Sequence, residues 1–564
     1  MSTMQKPRPE IAVDGFPRRN RYGWMDFVTS ADHKDVAKIL MVGSGGFLFL
    51  AALELFLMRL QLAIPENTFM EPYTFNRVLS LFGATSIFFF VLPLIMGIFL
   101  YIAPLQVGAR GTALPRLSQI GGLLWAAGAV VLYSGFLWTP SEAGVNPLPP
   151  LSELAFLSNN GVDAWLTACG FATLGFVLIS IDLTTTLQVD RAPGMAWRRA
   201  PIFAWAANVG SWLMLFIGPV LLAAFTMLMI DRNYDGTFFV DGAGGAPLLW
   251  QHFTWIFYSG AYMLVLIFAF GAIAEIFPVF SGNQLFNRNA VMASLVAIAV
   301  LGTLAYMQNM YTAPIGLGWK YFGMLMALSL IVPVGLIFYN LIATLGGGVL
   351  RMRAPVLFSI GALVMISLGL AAEMQQSLVG AAFYLKGTTA STAATSFALI
   401  GGGVFGGFAA LHYWFPKITG RAMGEQLGRL SFWIAAAGTL LTFVPMALAG
   451  WEQDQVVDAY KFFNHTGVNL YNMLASIGVL ILLIGVILML INAVASVKGG
   501  ARAGHDPWGG DTLEWFTVSP PPVHNFDVQP DVRSARPLRD IRAAIAARAH
   551  EAEQRAARQS QPIA

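Results

Sequence analysis

The sequence predicts an all-α membrane protein of twelve transmembrane helices, on three observations. Only 11% of its 564 residues are charged and 56% are hydrophobic, whereas soluble domains carry about 25% charged residues. Mean hydropathy is +0.64. Twelve separate runs reach the length of about 20 mostly apolar residues that crosses a hydrocarbon core. This excludes a soluble multidomain enzyme and a disordered chain. The 57 glycines, 42 phenylalanines and 24 methionines suit helices packed closely in lipid. A net charge of +3 gives no argument for nucleic acid, and the single cysteine, Cys169, permits neither a disulfide framework nor a cysteine metal cluster.

The runs follow in order. The first, 39–63, stands behind Asp32-His33-Lys34-Asp35 and carries Glu54 and Arg59. The second, 78–102, is closed by Pro104-Leu105-Gln106-Val107-Gly108-Ala109, and Pro115-Arg116 precedes the third, 120–139. The fourth, 164–188, holds Asp182 beside Thr184, Thr185 and Thr186. Arg191-Ala192-Pro193-Gly194-Met195 and Pro201-Ile202-Phe203 introduce the fifth, 202–230. Asp231-Arg232-Asn233-Tyr234 and Trp250-Gln251-His252 introduce the sixth, 253–280, which runs into Glu275-Ile276-Phe277-Pro278-Val279-Phe280-Ser281. The seventh is 290–312 and the eighth 322–347; the ninth, 356–382, is interrupted by Glu373. The tenth, 391–416, is rich in glycine at Gly401, Gly402, Gly403, Gly406 and Gly407 and is closed by Trp414-Phe415-Pro416-Lys417-Ile418-Thr419-Gly420-Arg421. The eleventh is 430–450 and the twelfth 470–496.

Residues 1–29 are polar and basic, with no apolar stretch suited to a cleaved signal. The segment Asp540 to Gln559, rich in Ala, Arg and Glu, reads as an exposed helix that binds a partner or is merely solvated. Three regions are therefore expected: an N-terminal cytoplasmic segment (1–38), the membrane domain (39–497) and a cytoplasmic tail (498–564). With the N-terminus inside, the inward loops carry eleven Lys and Arg and the outward loops five: Arg77, Arg232, Lys320, Lys386 and Lys461. That is the positive-inside bias, and an even helix count keeps both termini cytoplasmic.

After the twelfth run come Asp506-Pro507-Trp508-Gly509, Thr512-Leu513-Glu514-Trp515, Ser519-Pro520-Pro521-Pro522 and His524-Asn525-Phe526. Together with the strings above, in this order and at these spacings, they make the chain resemble subunit I of the haem–copper cytochrome c oxidases, in the bacterial aa3-like branch. The resemblance implies twelve helices, a bacterial inner membrane, partners like oxidase subunits II and III, haem a and copper, and six histidines holding those groups. Imidazole suits both iron and copper.

By that resemblance the low-spin haem ligands fall at Phe82 and Ser396 and the high-spin ligand at Ala394. The copper ligands fall at Ser259 and at Gln308 and Asn309. The tyrosine one helical turn after the first copper histidine falls at Met263 and the neighbouring proton-path glutamate at Ala261, the outer His-Asp pair at Lys386 and Gly387, and the paired propionate arginines at Gln453 and Asp454. Arg59 is one of the few polar features kept, at the place of an arginine near the low-spin haem edge. The seven histidines are His33, His252, His412, His465, His505, His524 and His550, and none falls in the middle of a predicted span. The expectation is therefore no catalytic residue, no metal and no bound cofactor. The vacated volume either closes around the tenth-helix glycines, with Phe82 and Met263 filling it, or takes a lipid or quinone.

For function, the expectation is a redox-silent scaffold or subunit of a respiratory-type complex. A first alternative is a subunit of a working oxidase whose haem and copper chemistry lies in a partner chain, such as a histidine-complete paralogue. A second is a proton or ion channel or transporter using Glu54, Arg59 and Asp182, since ionisable residues within the bilayer are costly.

Overall fold

The computed structural model describes residues 23, 28–452, 459–462, 464 and 466–559. Among the described residues, twelve helices are long and apolar enough to cross a membrane. They are α1 (His33–Gln61), α2 (Pro72–Gln106), α3 (Pro115–Leu137), α4 (Gly161–Val189), α5 (Ile202–Asn233), α6 (Pro247–Ser281), α7 (Arg288–Met310), α8 (Leu317–Leu345), α9 (Ala354–Ser377), α10 (Thr389–Thr419), α11 (Glu425–Trp451) and α12 (Thr466–Gly499). A further helix, α13 (Pro537–Gln559), is the expected polar one in the tail. No β-strand is found among the described residues.

Hydropathy located the spans but started several of them late. α1, α2 and α6 each begin six residues before the apolar runs do. The cause is capping by polar residues and proline. Asp32 accepts the Lys34 amide at 3.0 Å, and Pro72 and Pro247 open their helices, where the missing N–H costs nothing. The ninth run differs at its other end. Leu378 is extended, so α9 stops at Ser377 and a separate short helix, Val379–Leu385, follows.

Close approach holds neighbouring helices together. A Cβ on Gly121 would stand 2.6 Å from the Gly175 carbonyl oxygen, and one on Gly128 2.5 Å from that of Ala168, so α3 and α4 touch backbone to backbone. Gly438, Gly478 and Gly485 do the same between α11 and α12. Helix association in lipid depends on such contacts, because no hydrophobic gain separates two apolar surfaces there. Besides α3, which ends in a 3-10 turn at Gly135–Leu137, four helices are irregular. α2 and α10 each contain a π-helical segment, Thr85–Val91 and Ile400–Gly406. α7 ends in 3-10 turns from Ala305 to Met310, and α8 breaks at Leu330. All four line the cavity described below.

The start of α1 and the end of α12 lie at one end of the bundle, called here the tail end. Buried Lys34 donates to the Val523 carbonyl at 3.0 Å and to Asn525 Oδ1 at 2.9 Å. Asn525 in turn donates to the Ala109 carbonyl at 3.0 Å. Leu513, Trp515, Phe526, Val532 and Leu538 join the same apolar core as the helices. Each such burial contributes about 1.5–3 kcal/mol.

Candidate functional site

At the opposite end lies a half-open cavity of about 1390 Å³, above the ~300–1,000 Å³ of ordinary ligand pockets. It is bounded by the end of α1, the first half of α2, the start of α6, the end of α7, the middle of α8, the end of α9 and the start of α10. Odd helices end and even helices begin at this end, which explains why residues far apart in sequence meet here.

Five of the six positions given by the resemblance line this space: Phe82, Ser259, Gln308, Asn309 and Ser396. Arg59, Met263 and Ala261 line it with them. Ala394 does not; it is fully buried in the α9–α10 contact, where a Cβ on Gly369 would lie 2.9 Å from its carbonyl oxygen. Gln453 and Asp454 lie outside the described residues. The volume has not closed, so packing around the tenth-helix glycines does not fill it.

One wall is a chain of hydrogen bonds. Lys386 Nζ donates to Asn309 Oδ1 at 3.0 Å, and Asn309 Nδ2 donates to Ser259 Oγ at 3.3 Å. Ser377 donates to Gln308 Oε1 at 2.8 Å, and Thr395 to Glu373 Oε1 at 2.9 Å. Burial lowers the pKa of Lys386, and attraction to Glu373 partly restores it. Elsewhere the walls are apolar: Phe82, Val91, Val265, Val334, Phe338 and Leu399.

Arg59 stands apart. It is 3% exposed, and its Nη2 donates to the Asn472 carbonyl at 3.2 Å and to Asn472 Oδ1 at 2.8 Å. Its Nε has no partner, and no ion pair joins it to a carboxylate among the described residues. Asn472 lies 413 residues away on α12 and carries no local sequence signal. Glu373 did carry one, as a charge that interrupts the ninth apolar run.

The other intramembrane ionisable residues occupy separate places. Asp182 accepts the Leu114 amide at 2.7 Å and the Ser118 hydroxyl at 2.5 Å, while Thr186 Oγ1 accepts the Ala113 amide at 2.9 Å. This staples the loop before α3 to the tail end of α4. Glu54 accepts from Tyr133 at 3.1 Å and Thr85 at 3.4 Å. Neither Glu54 nor Asp182 lines the cavity with Arg59.

The histidines do not supply what the haems and copper of the resemblance need. No imidazole lines the cavity among the described residues. His252, at the start of α6, places Nδ1 3.0 Å from the Tyr306 hydroxyl. His412, near the end of α10, places Nδ1 2.8 Å from the Phe408 carbonyl oxygen and stacks on Phe358 at 5.1 Å. α6 and α10 run the same way, so these two histidines stand at opposite ends of the bundle. His465 lies outside the described residues. Hydroxyl, amide, alkyl and phenyl groups at the ligand positions do not fit axial ligation of haem iron or coordination of copper.

Comparison with known proteins gives the lineage. The sequence profile of the family described as "Cytochrome C and Quinol oxidase polypeptide I" matches residues 35–481. The chain is 31% identical over 515 residues to cytochrome c oxidase subunit 1 of Bacillus subtilis (strain 168), covering 91% of this chain and 82% of the relative. It is 34% identical over 522 residues to a probable cytochrome c oxidase subunit 1-beta of Nocardia farcinica (strain IFM 10152), covering 91% and 87%. It is also 29% identical over 520 residues to ubiquinol oxidase subunit 1 of Acetobacter aceti, covering 91% and 78%. A solved structure described as a heme-copper terminal oxidase dimer shares the fold, with a TM-score of 0.72 and 13% identity over 83% of this chain and 84% of that one.

These matches correct the expectation that no cofactor belongs to the chain, because the family it matches carries haem and copper. The faulty step ran from missing axial ligands to a missing group. Axial bonds are one part of what holds a macrocycle and apolar enclosure is another, and the enclosure persists here as an open volume. With the profile covering most of the chain, relatives above 30% identity across nine-tenths of it, and the twelve-helix architecture in common, the protein belongs to the cytochrome c and quinol oxidase polypeptide I family.

Proposed function

We propose that this chain is a redox-silent scaffold subunit of a respiratory-type membrane complex. Transfer of electrons to oxygen would then run on the histidines of another chain. The observation that carries this reading is the cavity wall: five of the six ligand positions meet there, and none offers an imidazole. By contrast, hydrogen bonds at the tail end join Lys34 to Asn525 and Gln106 and Trp414 to Glu514. Subunits resembling the family's second and third are the partners this reading implies, docked on the loops and on the tail. The eleven-to-five excess of Lys and Arg supports placing both termini on the cytoplasmic side of a bacterial inner membrane.

Oxygen uptake tests the reading directly. The purified full chain, given reduced cytochrome c or a quinol, is expected to consume no oxygen above a protein-free control. Cyanide-sensitive uptake by the isolated chain refutes the proposal. Isolation of the native membrane complex is expected to recover a histidine-complete homologue with it.

A further inference from the structure

We propose that the cavity is a binding site for an anionic phospholipid, with Arg59 pairing the headgroup phosphate and the acyl chains lying along α2, α8 and α10. Three observations carry this. The first is Arg59 itself. It is buried, lines the cavity, and leaves Nε without a partner, and no carboxylate pairs with it among the described residues. An unpaired buried cation costs several kcal/mol, and the space beside it is open. An anion arriving with the occupant supplies the missing charge. A neutral quinone does not, which decides between those two occupants.

The second observation is the cavity's polarity along its length. Its mouth carries Arg59 in the last turn of α1 and Lys386 ahead of α10, with Gln308 beside it. Ser377 occupies Gln308 Oε1, and the Gln308 amide nitrogen has no acceptor among the described residues, so it is able to donate to an occupant. Deeper in, the lining is Val91, Val265, Val334, Phe338 and Leu399. A charged head with long apolar chains matches that order. The carboxylates at the mouth are engaged: Glu142 with Arg77 at 2.6 Å, and Glu373 with Thr395 while drawing on Lys386.

The third is a side entrance. α8 breaks at Leu330, and Leu330, Ile331 and Gly335 line the cavity beside that break. Val332 and Leu336, next to these residues on α8, do not line the cavity and are 65% and 43% exposed on the outside of the bundle. In a membrane that surface faces acyl chains, so a lipid enters sideways without crossing water.

The test uses the full-length chain reconstituted with phosphatidylglycerol or phosphatidylcholine, exchanged into detergent and weighed by native mass spectrometry. Phosphatidylglycerol is expected to stay bound, and phosphatidylcholine to wash off. Arg59→Gln is expected to weaken retention about tenfold, the equivalent of about 1.4 kcal/mol; Arg59→Lys restores most of it, and Lys386→Gln has a smaller effect. Ser396→Phe projects a ring into the apolar part of the cavity without touching Arg59 and is expected to weaken lipid retention about tenfold in a chain that still elutes as a single species. It therefore decides the matter should Arg59→Gln not fold. Equal retention of the two lipids overturns the proposal, as does haem in the cavity, identified by its pyridine complex and lost with Arg59→Gln. Lipid is read by mass and redox silence by oxygen uptake, so either reading can fail without the other.

Discussion

Single residues at the tail end behave as fastenings. Asp182 is buried yet fully used: it receives a backbone amide and a hydroxyl from the loop and first turn ahead of α3. Asp182→Ala leaves both donors buried and unpaired, at about 1–3 kcal/mol each. The midpoint of thermal unfolding in detergent is expected to fall by several degrees, with Asp182→Asn falling less because it keeps an acceptor. A channel role predicts the reverse emphasis, with ion flux into vesicles lost in Asp182→Asn and stability unchanged. Glu514 is the residue to probe by pH. It accepts from Gln106 at 3.0 Å and Trp414 at 3.2 Å, while burial raises its pKa above 4.5 in spite of those bonds. Folding therefore favours the protonated form, and stability is lost as pH rises through the carboxyl range toward the folded value. Glu514→Gln is expected to flatten that part of the stability profile, measured as unfolding midpoint against pH from acid to neutral. An unchanged slope assigns the pH dependence to other groups.

Among the elements, the α11–α12 pair depends most plainly on small residues. Three glycines leave no room for a Cβ against the facing backbone, whereas a Cβ on Gly380 would meet nothing within 4 Å. Gly478→Leu is expected to lower stability by more than about 2 kcal/mol, and Gly380→Ala to leave it unchanged. Comparable midpoints for the two variants would show that the helices separate at little cost. The twelve spans were legible in the sequence because hydropathy over 20 residues is a strong signal. What α2, α7, α8 and α10 do inside their spans was not legible. The π segments at Thr85–Val91 and Ile400–Gly406 and the break at Leu330 change backbone geometry without changing composition. Phe82, Ser259, Gln308, Asn309 and Ser396 were found as positions only through the family resemblance. Spacing alone does not bring together residues from α2, α6, α7 and α10. Arg59 was noticed as a charge in an apolar run, but its partner Asn472 belongs to another helix and had no signal of its own.

At the scale of the molecule the two ends serve different purposes. Several of the strings that carry the family resemblance meet at the tail end: Lys34 meets Asn525, Gln106 and Trp414 meet Glu514, and Gln529 donates to the Gly108 carbonyl at 2.9 Å. If the ends are energetically separate, perturbing one leaves the other alone. Lys417 is the lever at the tail end. Fully buried, it donates to the Thr517 carbonyl at 2.7 Å, reaches those of His505 and Val518 at 3.4 Å, and lies 5.4 Å from the Trp515 ring centroid. Lys417→Met strips the donor from all three carbonyls, and limited proteolysis is expected to cut the tail between residues 500 and 536 faster. Lipid retention in the cavity is expected to match that of the unaltered chain. Arg59→Gln is expected to do the opposite, weakening retention while leaving the cleavage rate of the tail as it was. In the double variant the two effects add, since sites this far apart without shared partners usually couple by less than about 0.5 kcal/mol. A larger departure from additivity in either assay would mean that the bundle transmits strain from its tail end to the cavity.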